Sequence, residues 1–171
     1  MNYILAAAAL AIGLAWLAPA QSREHSEASF TLRLPAPPSV VFPLFGPIRE
    51  SEWSPDWSPT VLYPADRIQK AGAVFTTLQH EQKSIWILTT YDAAALRIGY
   101  VIVTPERTAA QLDISLRALA DRETEVTVIH RLTSLGEASD DRVKRFAREF
   151  PQEREHWQQA ISRRVRELTE Y

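Results

Sequence analysis

From Ala73 to Leu132 apolar and polar residues alternate with a period of two through five successive stretches, each stopped by a short polar turn. Ala110, Leu112, Ile114, Leu116 and Ala118 show the pattern most cleanly. Val126, Val128, His130 and Leu132 repeat it on the closing stretch, with Thr127, Arg131 and Thr133 on the other face. The turns fall at Gln82-Lys83, Asp92-Ala93-Ala94, Pro105-Glu106-Arg107 and Asp121-Arg122-Glu123. Such a series is an antiparallel meander with one covered face and one wet face. Parity also places Trp86 and Tyr91 on opposite faces of their strand, so at most one of them points inward.

After Gly136 the period changes from 2 to 3.6. Val143, Phe146, Phe150, Trp157, Ile161, Val165 and Leu168 hold one face to the end of the chain, with Ser139 as N-cap and Asp140 and Asp141 in the first turn. Pro151 interrupts the run without shifting its phase, which predicts one long helix kinked near Phe150. A meander cannot bury its concave face alone, so this helix must lie across it.

Upstream, Phe30, Leu32 and Leu34 alternate with Thr31 and Arg33 in a first strand, ended by Pro35, Pro37 and Pro38. Ser39 is read as the cap of a short helix containing Val40, Val41, Leu44 and Phe45, and a second short turn covers Ile48 to Trp53. Gly46 to Asp66 then carries Trp-Ser-Pro twice, at Trp53 and Trp57, among four prolines. Proline fixes φ and removes a donor, so this run reads as a stiff loop bearing large aromatic surface. The expected class is α+β, a helix-grip fold: a curved antiparallel β-sheet wrapped around a long C-terminal α-helix, with two short helices after the first strand.

The N-terminus has a different character. Tyr3 to Ala18 carries no charge and ends in Ala18-Pro19-Ala20 before polar sequence begins at Gln21. Small residues at the −3 and −1 positions mark a signal peptide over 1–20, followed by a linker over 21–27 and the domain over 28–171. No Lys or Arg precedes the apolar run, so an uncleaved anchor through residues 3–18, tethering the domain to a membrane, is the rival reading. Both place the domain outside the cytoplasm, periplasmic or secreted in the first case and membrane-anchored in the second.

The charge balance of −2, from 19 basic and 21 acidic residues, offers no field for nucleic acid. With no cysteine there is no disulfide, thiol nucleophile or thiolate metal site. The four histidines have no metal-ligand spacing, and no nucleotide or acyl-transfer motif occurs. No cofactor or metal is expected.

The order of elements, with Leu34-Pro35-Ala36-Pro37-Pro38, Val41-Phe42, Glu52-Trp53, Trp57-Ser58-Pro59, Leu62-Tyr63-Pro64, Gly72 to Thr77, Trp86, Tyr91-Asp92, Leu132 to Leu135 and Trp157, resembles the START-like or SRPBCC superfamily. This superfamily includes polyketide cyclases and lipid-transfer domains. The resemblance covers the chain from Ala28 and is nearest to bacterial single-domain members. It implies a deep, largely apolar cavity between sheet and helix, holding a hydrophobic small molecule or lipid. It does not imply catalysis, because carriers, receptors and enzymes share the fold.

The residues expected to line that cavity are Trp53, Trp57, His80, Tyr100, His130, Phe146 and Trp157. His130 lies on the inward face of its strand, where it either completes a hydrogen-bonded core or meets a ligand. His80 sits near a rim, between pocket and surface. Tyr100 shares a face with Ile98 and Ile102, and a phenol there needs a partner from protein or ligand. The first functional expectation is a binding or transfer module for a hydrophobic molecule. The alternative is a cyclase- or dehydratase-like enzyme in which His130 moves a proton, supported by a carboxylate such as Glu50 or Glu52 at the entrance.

Overall fold

The computed structural model describes residues 22–79 and 81–170. Seven strands form one antiparallel sheet: β1 His25–Leu34, β2 Thr60–Tyr63, β3 Val74–Gln79, β4 Gln82–Asp92, β5 Arg97–Thr104, β6 Thr108–Ala120 and β7 Glu123–Ser134. Their order is β1-β7-β6-β5-β4-β3-β2, so the meander is sequential and β1 closes beside its last strand. Between β1 and β2 lie α1 Pro38–Val41 and 3-10 turns at Phe42–Phe45 and Arg49–Glu52. The C-terminal part is α2 Asp140–Glu149, a 3-10 turn Phe150–Gln152 and α3 Glu153–Thr169. Sheet, short helices and long terminal helix together form the helix-grip fold.

Local chemistry explains where the elements begin and end. β1 starts at His25, three residues before the alternation becomes legible, because His25 to Glu27 pair with Thr133 to Arg131 of β7. α1 is capped by Pro37 and opens on Pro38, not Ser39, since a proline in the first turn gives up no needed donor. Ser139 does occupy the N-cap of α2, but its hydroxyl makes no capping hydrogen bond. Pro151 sits in the 3-10 turn that links α2 to α3, which is the kink its ring demands. β2 lies inside the proline-bounded loop and is an edge strand, where a missing partner on one side is tolerated.

One parity expectation is corrected. The β4–β5 register shifts between Leu88 and Thr90. A bulge of this kind turns the following side chains over. Trp86 therefore stacks on Phe75 at 5.6 Å while Tyr91, beyond the bulge, packs on Phe42 at 4.9 Å. Both face the core.

The inward side chains form transverse rows across the sheet. Phe30, Val128, Ile114 and Ile98 make one row, and Leu32, Val126 and Leu116 the next. Together with Ile161 and Val165 of α3 they belong to a fully packed core. Each such aliphatic side chain contributes about 1.5–3 kcal/mol on burial. This half of the grip is solid. Among the described residues no helix is long and apolar enough to cross a membrane.

Candidate functional site

Toward the other end of the sheet the rows open into a cavity of about 310 Å³. Its outermost row is Ser84, Thr104 and Thr108, with Ser84 and Thr104 hydroxyls 2.8 Å apart. Next come Trp86, Ile102, Ala110 and Leu132, and deepest come Leu112 and His130. The helical side contributes Arg142, Phe150 and Trp157, and the short-turn loop contributes Glu50, Ser54 and Trp57. The wall is thus less uniformly apolar than the resemblance implies. Polar groups collect at the mouth beside the β3–β4 hairpin, apolar ones fill the middle, and a histidine stands at the floor.

His130 is held there by β7, opposite Leu112 of β6 and Ala28 of β1. Phe146 and Phe150 meet its ring edge-on, with centroids 4.9 and 5.2 Å away. Its Nε2 is buried and has no hydrogen-bond partner among the described residues. Burial in this apolar setting pushes its pKa down to about 4, so the ring is neutral at pH 7. Neutral imidazole offers one donor and one acceptor.

Glu50 reaches the same cavity from the 3-10 turn Arg49–Glu52. Its amide donates to the Gly46 carbonyl, and its own carbonyl accepts from the amides of Trp53 and Ser54, so the backbone fixes its position. Burial alone pushes its carboxyl up to about 8, with no charge or donor opposing the shift. Glu52, two residues on, has a different role. Its carboxylate accepts from Arg49 at 2.7 Å and from Arg164 of α3 at 2.8 Å, and the Arg49 hydrogen bond foremost holds it below the usual carboxylate range. It fastens the loop to the helix.

Of the residues expected from sequence, Trp57, His130 and Trp157 line the cavity. Trp57 Nε1 donates to the Pro47 carbonyl at 2.7 Å, and its ring meets Trp86 edge-on at 5.1 Å. Trp53 instead packs behind the wall, its Nε1 donating to the Leu44 carbonyl at 2.7 Å and its ring 5.1 Å from Trp157. Tyr100 has its partner inside the protein: its hydroxyl donates to the Phe45 carbonyl at 2.8 Å. Phe146 buttresses the His130 ring and does not line the space itself. His80 lies outside the described residues. Sequence reasoning passed over Phe150, Ser54, Gln79, Thr108 and Arg142, all of which line the cavity. Inward parity with Phe75 and Thr77 was the available signal for Gln79.

Among the described residues no group of His, Asp and Glu could hold a metal ion. The arrangement can enclose an uncharged molecule, with Glu50 and His130 as its interior polar contacts.

No family model matches the sequence, and no curated protein matches it. Solved structures do match. A START superfamily protein from Mycobacterium smegmatis superposes with a TM-score of 0.63 at 18% identity, covering 84% of this chain and 99% of that one. Ara h 8.0201 gives 0.60 at 18% identity, over 82% and 97%. Norcoclaurine synthase from Thalictrum flavum, in complex with dopamine and hydroxybenzaldehyde, gives 0.63 at 9% identity over 98% of each chain. Identities this low establish a shared architecture: the chain has the START-like helix-grip fold.

Proposed function

We propose that this protein binds one small hydrophobic molecule in the cavity between sheet and helix, to sequester it or pass it on, outside the cytoplasm. The observation that carries this reading is the unpartnered Nε2 of His130 at the floor of an apolar-walled space. A buried polar atom left without a partner is costly unless a ligand supplies one. A volume of about 310 Å³ suits one or two rings or a short acyl chain and is too small for a two-chain lipid. Affinity comes from apolar burial against Trp57, Trp86, Phe150 and Trp157, and orientation from His130 and Glu50. The export part of the proposal rests on the uncharged segment from Tyr3 to Ala18, which lies outside the described residues.

A second reading is favoured by one observation: Glu50 and His130 share the cavity and are both neutral near pH 7. A protonated carboxyl and a neutral imidazole form an acid and base pair, as a cyclase- or dehydratase-like reaction would need. Norcoclaurine synthase is an enzyme on this fold. The carrier reading is preferred because, among the described residues, neither group is hydrogen-bonded to another titratable side chain that would orient it for proton transfer. Native mass spectrometry of the protein from its own host tests the proposal. A co-purifying small molecule released on unfolding is the expected result, and consistently empty protein contradicts it. A co-purifying molecule chemically altered on incubation would establish the second reading.

A further inference from the structure

The aromatic wall of the cavity is electron-rich. Trp57 and Trp86 stand at 87° to one another with ring centroids 5.1 Å apart, so the two indoles form a corner. Both spend their N–H groups inside the protein. Trp57 Nε1 donates to the Pro47 carbonyl at 2.7 Å, and Trp86 Nε1 donates to the Thr77 hydroxyl at 2.9 Å. Trp157 and Phe150 close the space from the helical side. An aromatic face attracts a cation, most strongly when the ring is an indole and water is excluded.

Into this space Glu50 brings a carboxyl that makes no hydrogen bond or ion pair among the described residues. The nearby cations are engaged or outside. Arg49, on the same turn, is held by Glu52 at 2.7 Å, and Arg142 lines the cavity from α2 but is solvent-exposed. The Tyr100 hydroxyl is spent on the Phe45 carbonyl, and the buried Nε2 of His130 is itself unpartnered. A carboxyl, an imidazole and a corner of indole faces are together complementary to a basic nitrogen and its N–H groups. A ligand carbonyl or hydroxyl can also accept from Glu50, but it gains nothing from the aromatic faces.

We infer that the ligand of this cavity is a hydrophobic amine whose nitrogen seats between the Glu50 carboxyl and the indole faces. The inference rests on the proposed binding function and names the class of its ligand. The amine enters as the uncharged free base. The carboxyl hydrogen then passes to the nitrogen lone pair, breaking an O–H bond and forming an N–H bond. A carboxylate and an ammonium are left paired, with no net charge added to the buried site. An alkylamine has a pKa of about 10.4 in water, above the value of about 8 to which burial pushes Glu50, so the transfer runs toward nitrogen.

This exchange has a pH signature. Below about pH 10 the free amine is an ammonium in solution, so each binding event at a protonated Glu50 releases one proton to water. Affinity therefore rises about tenfold per pH unit up to about pH 8 and levels off above it. The other groups facing Glu50 hold one charge state through this range. Burial keeps His130 neutral, burial first and Glu50 next raise the Tyr100 phenol, and an arginine such as Arg142 stays charged.

The test titrates the full chain by calorimetry with three probes of one shape: naphthylethylamine, naphthylethanol and naphthylacetate. The amine is expected to bind about tenfold tighter than the alcohol at about pH 8, with the carboxylate weakest. At about pH 6.5, titration in buffers of different ionisation heat should count close to one proton released per amine bound. Glu50→Gln should remove the pH slope and bring the amine down to the level of the alcohol, with circular dichroism checking its fold. Equal affinity for amine and alcohol, preference for the carboxylate, or a pH slope that persists in Glu50→Gln overturns the inference and leaves the binding function standing. Absence of binding by all three probes defeats the binding function itself.

Discussion

The carboxyl of Glu50 and the imidazole of His130 line one cavity, and burial drives them in opposite directions: the acid up to about 8, the base down to about 4. Each is thereby neutral over the same span of pH. Desolvation is the first cause in both cases, so the two shifts share one physical origin at these two positions.

Each shift has a sign in folding stability. Glu50 rises from 4.5 to about 8 on folding, so the folded state holds a proton that the unfolded chain releases between those values. Stability falls as pH rises through that window and levels off above it. His130 runs the other way. It drops from 6.5 to about 4, so stability is lost as pH falls through that interval. Glu50→Gln removes the first effect and keeps the shape. Urea unfolding at about pH 5 and about pH 8 should show the variant gaining on the parent as pH rises. A constant difference between the two would exclude a buried, neutral Glu50.

Trp57 should carry a large share of the wall's stability. It packs on Phe75 and Trp86 and donates to Pro47. Trp57→Ala should cost about 3–5 kcal/mol in chemical denaturation. Trp57→Phe keeps a ring but frees the Pro47 carbonyl, at about 1–3 kcal/mol.

Tyr100 separates structure from recognition. Its hydroxyl is satisfied by Phe45, so Tyr100→Phe should destabilise by about 1–3 kcal/mol and leave the affinity for a hydrophobic probe unchanged. A weakened probe affinity would mean that the phenol faces the ligand after all.

The tie between loop and helix is modest. Glu52 and Arg164 are each partly exposed, so a double-mutant cycle with Glu52→Gln and Arg164→Met should return only about 0.2–1 kcal/mol. Its greater effect should be local: hydrogen exchange at Trp53 and Ser54, which bond to Glu50, should quicken.

Much of this architecture was legible because period two and period 3.6 are strong signals. The meander, the terminal helix and the inward face of His130 all follow from them. What remained hidden depends on features without a period. The bulge between Leu88 and Thr90 reverses parity, and that is how Tyr91 joins Trp86 inside. β2 has mostly exposed residues and hence no alternation to read. In the short-turn loop, backbone hydrogen bonds decide which of two nearby acids faces inward. Glu50 is aimed at the cavity, while Glu52 is claimed by Arg49 and Arg164. Trp53 and Tyr100 have the right residue type and still sit behind the wall, because the Leu44 and Phe45 carbonyls needed donors.

That the space between Ala110, Leu112, His130 and Trp157 binds an uncharged hydrophobic molecule is the function proposed for this protein. It is tested most directly by titrating the protein with a neutral naphthylamine probe beside the variant Ala110→Phe. That substitution fills the cavity from near the start of β6 with a larger apolar side chain. Saturable one-site binding is expected in the parent, and Ala110→Phe is expected to abolish it while the fold is retained. Absent binding in the parent, or binding that the filled variant preserves, would contradict it.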